Sequence, residues 1–404
     1  MNFVKTRDGH NYLVPFALIT SLFFLWGFAH SILDVLNKYF QDTMGLTKTQ
    51  SALVQAVVYG GYFLMALPAG ALIKRWGYRA GVLTGLLLYG IGALLFIPGG
   101  QLMNFGFFLF SLFIIGCGLT FLETSANPYV TVLGPSQGAE QRINFSQSFN
   151  GLGWILGPLV GGMFLFTQPG EQPNITLPYA LIGIVVLAIA LVFARVRLPE
   201  VAAAPEQTDD VMEGGVQAGG YIPLFRHKKF VFGLVSLFLY VAAQTGVNSF
   251  FINYAVEEAA VPRGAAATLL GIGCMGLFML GRMGGSWLMG YIRAERLLAL
   301  CGVGATLSTA LVVFVPGQLG FGALFVVYLC ESIMFPTIFA LSLRGVGRHT
   351  KLASSFLIMS IVGGAVAPLL MGWIADRSGM SLGFIVPLVC YVVIAVYGQY
   401  VGRK

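Results

Sequence analysis

Three acidic residues, Asp34, Glu123 and Glu331, each interrupt a long apolar stretch of the sequence. A carboxylate at the centre of a lipid-embedded helix costs about 2.5–3.5 kcal/mol on insertion scales, so an acid kept there is expected to face a cavity, a partner or a transport path. Asp34 follows His30 by four positions, which puts both on one helix face. A carboxyl that takes a proton from one side of a membrane and releases it on the other meets a proton carrier's requirement. Asp34 is the first candidate for that role, with Glu123 beside it. His30 either tunes Asp34 as a neighbouring cation or hydrogen-bond partner, or is simply a satisfied membrane histidine. Glu331 and the nearby Phe335 are candidates for a cavity or for coupling, or for packing against another helix.

Amides cluster at helical spacings near these acids. Glu123 and Asn127 are i and i+4, Gln147 and Asn150 are i and i+3, and Gln244 and Asn248 are again i and i+4. Each amide offers two donors and a carbonyl acceptor, a match for vicinal hydroxyls on a neutral sugar, although the same groups can serve as interhelical polar ties. Asn253 stands five residues beyond Asn248, and Phe250, Phe251 and Tyr254 supply ring faces for sugar C–H patches. Glu123, Asn127, Gln147, Asn150, Gln244 and Asn248 are therefore the expected substrate-binding set.

The elements that must position these residues are membrane-spanning. Of 404 residues 57% are hydrophobic and only 10% are charged, and the mean hydropathy is +0.82. The apolar runs are near the 20 or so residues of a bilayer-crossing helix and do not alternate as barrel strands do. Twelve spans are expected, at roughly 15–40, 47–73, 80–98, 103–132, 143–167, 177–196, 229–256, 264–290, 296–315, 319–343, 352–375 and 380–401. The fold class is an all-α polytopic membrane protein of two pseudo-symmetric six-helix bundles.

Most of the 23 Lys and Arg fall on the side of the two termini, which the positive-inside rule makes cytoplasmic; Lys38, Lys48, Arg263 and Arg377 fall opposite and Arg282 lies within a span. The net charge of +7 then reflects cationic loops held at anionic lipid, with no nucleic acid implied. The first span is expected to be retained rather than cleaved. A polar, Gly-rich stretch divides the chain into an N-terminal bundle, 1–197, a cytoplasmic linker, 198–228, and a C-terminal bundle, 229–404. Matched halves of this kind carry a substrate site at their interface near mid-membrane. Glycines in the fifth and eighth spans serve helix packing or a rocking surface.

Neither a Gly-Lys-Ser/Thr phosphate loop nor a His-Glu-x-x-His zinc motif is present. The five cysteines, odd in number and without a CxxC pair, read as small packing residues. An enzyme is therefore not expected, nor a metal or cofactor.

The segment Gly70-Ala-Leu-Ile-Lys74-Arg75-Trp-Gly77-Tyr-Arg79 resembles the loop between spans two and three in the major facilitator superfamily, with Lys74 where that pattern usually has Asp. Gly70, Arg75, Gly77 and Arg79 are thereby implied to form a conformational motif. The related Gly372-x-x-x-Asp376-Arg377-x-Gly379 ends the eleventh span, at the opposite membrane face. Longer stretches, Ser21-Leu-Phe-Phe-Leu-Trp26, Leu122-Glu123-Thr-Ser-Ala-Asn127-Pro128, Tyr240-Val-Ala-Ala-Gln244-Thr245 and Pro336-Thr337-Ile338-Phe339, resemble the fucose/galactose/glucose:proton symporter family. That resemblance implies a role in proton translocation for Asp34 and in sugar recognition and coupling for Glu123, with Gln147 and Asn150 at polar cavity positions. It implies import of a neutral hexose or deoxyhexose with a proton, by a monomer in a bacterial inner membrane. The alternative is a sodium-coupled hexose symporter of the same fold, since these acids could also supply oxygen ligands.

Overall fold

The computed structural model describes residues 12–133, 139–166, 174–196, 225–289, 291–344, 353, 356–357 and 359–402. Every regular element among the described residues is helical. Eleven helices are long and apolar enough to cross a bilayer: α1 Leu13–Met44, α2 Lys48–Ile73, α3 Arg75–Leu102, α4 Phe105–Asn127, α5 Phe145–Leu165, α6 Thr176–Arg195, α7 Lys228–Glu257, α8 Arg263–Gly285, α9 Ala294–Phe314, α10 Gln318–Leu343 and α12 Met380–Gly402. Between α10 and α12, at the other expected span, a 3-10 turn Ser360–Val362 leads into α11, Gly363–Ser378. The linker expected at 198–228 lies almost wholly outside the described residues.

Local chemistry sets several boundaries. Thr47 and Gln50 form a capping box at the start of α2, each side chain serving the other's backbone N–H. Asn104 caps α4 by accepting from the Phe107 amide at 3.1 Å. Gly77, at φ 79° and ψ 173°, turns the chain between α2 and α3 with a backbone that side-chain-bearing residues rarely adopt.

The helices sort into two compact units. One holds the described residues 12–36 and 57–196, and the other holds 37–56 and 225–402. The last two turns of α1, from residue 37 on, and the first residues of α2 therefore pack with α7–α12.

Within the first unit, small residues let helix backbones meet. A Cβ on Gly153 would fall 2.4 Å from the Phe24 carbonyl oxygen, and one on Gly157 would strike Ser31 Oγ, so α5 lies directly against α1. Ser31 Oγ donates across this seam to the Gly153 carbonyl at 3.1 Å. In the second unit Gly302 and Gly398 bring α9 and α12 together in the same way. The glycines of α5 thus serve packing; in α8, Gly281 and Gly285 meet α10, whereas a Cβ on Gly276 or Gly284 would meet nothing within 4 Å. Large apolar side chains such as Leu67, 82% exposed, and Ile184 cover the outer face, where lipid is their solvent.

Candidate functional site

The first unit gathers most of the expected residues. His30 and Asp34 are buried on α1, 8% and 2% exposed, while Glu123 and Asn127 on α4 are partly exposed. The hydrogen bond His30 makes is to a residue sequence reasoning missed: its Nε2 lies 2.9 Å from the Tyr62 hydroxyl of α2. Tyr62 is also tied to Glu123 by a side-chain hydrogen bond. His30, Tyr62 and Glu123 therefore form a continuous polar chain linking α1, α2 and α4.

Aromatic rings wall this chain. The His30 ring lies 6.0 Å from that of Trp154, nearly parallel at 15°, and 5.9 Å from that of Tyr59. The Tyr59-Gly-Gly-Tyr62 segment carried the signal that could have found these residues, because two tyrosines at i and i+3 share a helix face.

The amides of α5 part company. Asn150 donates Nδ2 to the Phe23 carbonyl at 3.1 Å, and a Cβ on Gly27 would collide with it, so Asn150 is held in the α1–α5 seam. Gln147, on the same helix, is partly exposed. Among the described residues Asn127 keeps a buried Oδ1 with no hydrogen-bond partner.

In the second unit Gln244 is partly exposed and Asn248 is buried, again with an Oδ1 that has no hydrogen-bond partner among the described residues. Asn253 has a different setting: its Nδ2 donates to Gln41 at 2.6 Å and to Glu257 at 3.2 Å. It belongs to a network at the end of α1 that includes Asn37 donating to the Ser249 carbonyl, the Lys48–Glu257 ion pair at 3.0 Å and the Arg263–Asp42 pair at 3.0 Å.

Glu331 is fully buried at a break in α10, between the helical stretches Gln318–Glu331 and Met334–Leu343. Pro336 accounts for the break: it has no N–H for the Ser332 carbonyl four residues back, and its ring crowds that carbonyl. The released carbonyls find side-chain donors instead. Tyr240 Oη donates to Glu331 O at 3.1 Å and Arg282 Nε to Ser332 O at 3.2 Å. Phe335 lies in the same region, its ring 6.1 Å from that of Tyr240.

The two glycine-arginine segments are built differently. In the first unit Gly77 makes the turn, Arg79 donates to the Ala194 carbonyl at the end of α6, and Arg75 lies over the Trp76 ring at 4.9 Å; a Cβ on Gly70 would meet nothing within 4 Å. A guanidinium at helix-terminal carbonyls is favourably placed. In the second unit Asp376 accepts from the Lys48 and Thr49 amides, each at 2.8 Å, at the start of α2, where the helix dipole favours an anion. A Cβ on Gly372 would come 2.7 Å from the Lys48 carbonyl, so only glycine allows this approach.

A model described as Major Facilitator Superfamily matches residues 19–360. The chain belongs to the Major Facilitator Superfamily. Its relatives in this superfamily are transporters, and the chain is a multi-pass membrane transporter rather than an enzyme. It is 35% identical to the L-fucose-proton symporter of Escherichia coli strain K12, with 97% of this chain and 94% of the relative covered. It is 34% identical to a glucose/galactose transporter of Brucella abortus, covering 99% and 97%. A crystal structure of the E. coli fucose:proton symporter matches with a TM-score of 0.69 at 34% identity, over 98% of this chain and all of that one. These relatives place the chain in the fucose/galactose/glucose symporter branch of the superfamily.

Proposed function

We propose that this transporter imports a neutral monosaccharide, a hexose or deoxyhexose such as glucose, galactose or fucose, together with a proton, by alternating access. The observation that carries the reading is the His30–Tyr62–Glu123 chain, which links an imidazole one helical turn from Asp34 to a carboxyl one turn from Asn127 and its unsatisfied acceptor. The names of the relatives, a fucose-proton symporter and a glucose/galactose transporter, support both parts of it.

In this account a sugar hydroxyl donates to Glu123 and to Asn127 Oδ1. Gln147, Gln244 and Asn248 supply further amide contacts. Asp34 carries the proton that drives uptake, and Tyr62 communicates the state of Glu123 to His30. Asn150 gives one Nδ2 hydrogen to the Phe23 carbonyl in the α1–α5 seam and offers its second N–H and its Oδ1 to the sugar. Gly70, Arg75, Gly77 and Arg79 govern the cytoplasmic ends of the helices they join. No resident cofactor takes part, and the chain works as a monomer. The membrane is the bacterial inner membrane, with both termini cytoplasmic and the halves 1–197 and 229–404 joined by the linker 198–228.

The test is uptake of labelled L-fucose, D-galactose and D-glucose into proteoliposomes with pH and sodium gradients imposed separately. At least one sugar is expected to accumulate under an inward proton gradient without sodium. A strict requirement for sodium would transfer the coupling role to that ion, and accumulation of none would remove the sugar assignment.

A further inference from the structure

Glu331 plays no part in the mechanism just given, yet its setting is costly to explain as packing. Its side chain is wholly buried. Oε1 accepts a hydrogen bond from the Tyr391 hydroxyl of α12, while Oε2 is buried with no hydrogen-bond partner among the described residues. No cation lies within ion-pair distance of it among the described residues, where the ion pairs involve Asp42, Glu257 and Glu295. An ionised carboxylate in that position, with one neutral donor, would cost several kcal/mol. A glutamine of the same shape would not.

The titratable and charged surroundings come from five helices. Tyr391 and the neighbouring Cys390 lie on α12, Tyr240 on α7, Cys274 and Arg282 on α8, and Cys330 on α10 itself, with the free thiol of Cys301 of α9 hydrogen-bonded to that of Cys330. Tyr391 touches the carboxyl directly. Tyr240 and Arg282 touch the chain instead, at the carbonyls of Glu331 and Ser332 that the Pro336 break exposes.

We propose that Glu331 is a proton-binding site of the C-terminal unit, separate from the carboxyls on α1 and α4, whose proton keeps Arg282 on the Ser332 carbonyl and so holds the break in α10 in its present form. Loss of the proton leaves a bare carboxylate one residue from the carbonyl that Arg282 holds. The guanidinium is then drawn from a neutral carbonyl to an anion, a charge-assisted and stronger partner. The bond exchanged is the Arg282 Nε donation at 3.2 Å, and the proton leaves Glu331 for water. A broken membrane helix with two donor arrangements of this kind is an element that can be biased from one state to the other. The inference rests on the proton-coupled reading for its role in transport, but the occupancy of the site does not.

The experiment is infrared difference spectroscopy of the purified, sugar-free protein between neutral and alkaline pH, comparing wild type with Glu331→Gln and Tyr391→Phe. Wild type is expected to show a protonated-carboxyl stretching band that disappears on alkalinisation. That component should be missing from Glu331→Gln and shifted in frequency in Tyr391→Phe, which loses the donor to Oε1. Identical difference spectra for wild type and Glu331→Gln would overturn the proposal. If Glu331→Gln fails to fold, Tyr391→Phe decides alone, and an unshifted band there would be equally fatal. Because no sugar is present, failure here is distinguishable from failure of the uptake panel.

Discussion

Glu123, on α4, is partly exposed and is linked through Tyr62 to His30. Glu331, on α10, is fully buried, and among the described residues its carboxyl accepts a hydrogen bond from the Tyr391 hydroxyl alone. The residue type is the same, and the helices are both apolar, so the difference lies in what each carboxyl can reach. Glu123 can exchange partners with a solute and pass the change along a hydrogen-bonded chain. Glu331 can change only its own proton and, through it, the donor at the next carbonyl. The first arrangement suits recognition, whereas the second suits a helix that must hold or shift a break.

The comparison can be broken by substitution. The largest effect is expected for Asp34→Asn, which should abolish pH-gradient-driven sugar accumulation in proteoliposomes while sparing exchange of labelled sugar between equal pools. Loss of both activities together would count against a pure coupling role. Next is Glu123→Gln, which replaces a charged acceptor by a neutral one. A hydrogen bond to a charged group is worth about 1.5–3 kcal/mol, so sugar Kd measured by calorimetry should rise roughly ten- to hundred-fold; an unchanged Kd would refute the contact.

Tyr62→Phe should have a smaller effect, since it removes one link rather than the acid. About 1 kcal/mol is at stake for such a bond, which predicts a several-fold loss of uptake with Glu123 still present. Combined with Glu123→Gln, its cost should be less than additive, because the two groups share one chain. The smallest effect belongs to Asp376→Asn. This carboxylate sits at an exposed helix N-terminus, where such a charge is worth about 0.3–1 kcal/mol, so a slight drop in thermal unfolding temperature is expected without loss of exchange.

Much of this was legible before any coordinates. Apolar runs of bilayer length, divided once by a polar Gly-rich stretch, are enough to expect membrane helices, and the acids stand out because lipid penalises them. The signature at 70–79 likewise pointed to the superfamily. What could not be read was partner choice. His30 and Asp34 share a face at i and i+4, yet the histidine turns to Tyr62 on another helix, and periodicity on one helix says nothing about its neighbour. Asn150 reads as a sugar ligand by residue type, and periodicity gives no sign that the glycine at position 27 brings α1 close enough to take one of its two N–H donors. Asn253 is similarly committed to Gln41, a pairing across more than two hundred residues. The break at 332–333 was open to inference from Pro336, whose missing N–H strands the carbonyl four residues earlier.

The most direct test of the account is the pH of an unbuffered, sodium-free suspension of sealed inner-membrane vesicles containing the protein, followed while sugar is added with no other gradient present. Proton entry with the sugar should make the medium more alkaline, and the response should vanish in Asp34→Asn. Entry of labelled sugar without any change in external pH would contradict proton coupling outright.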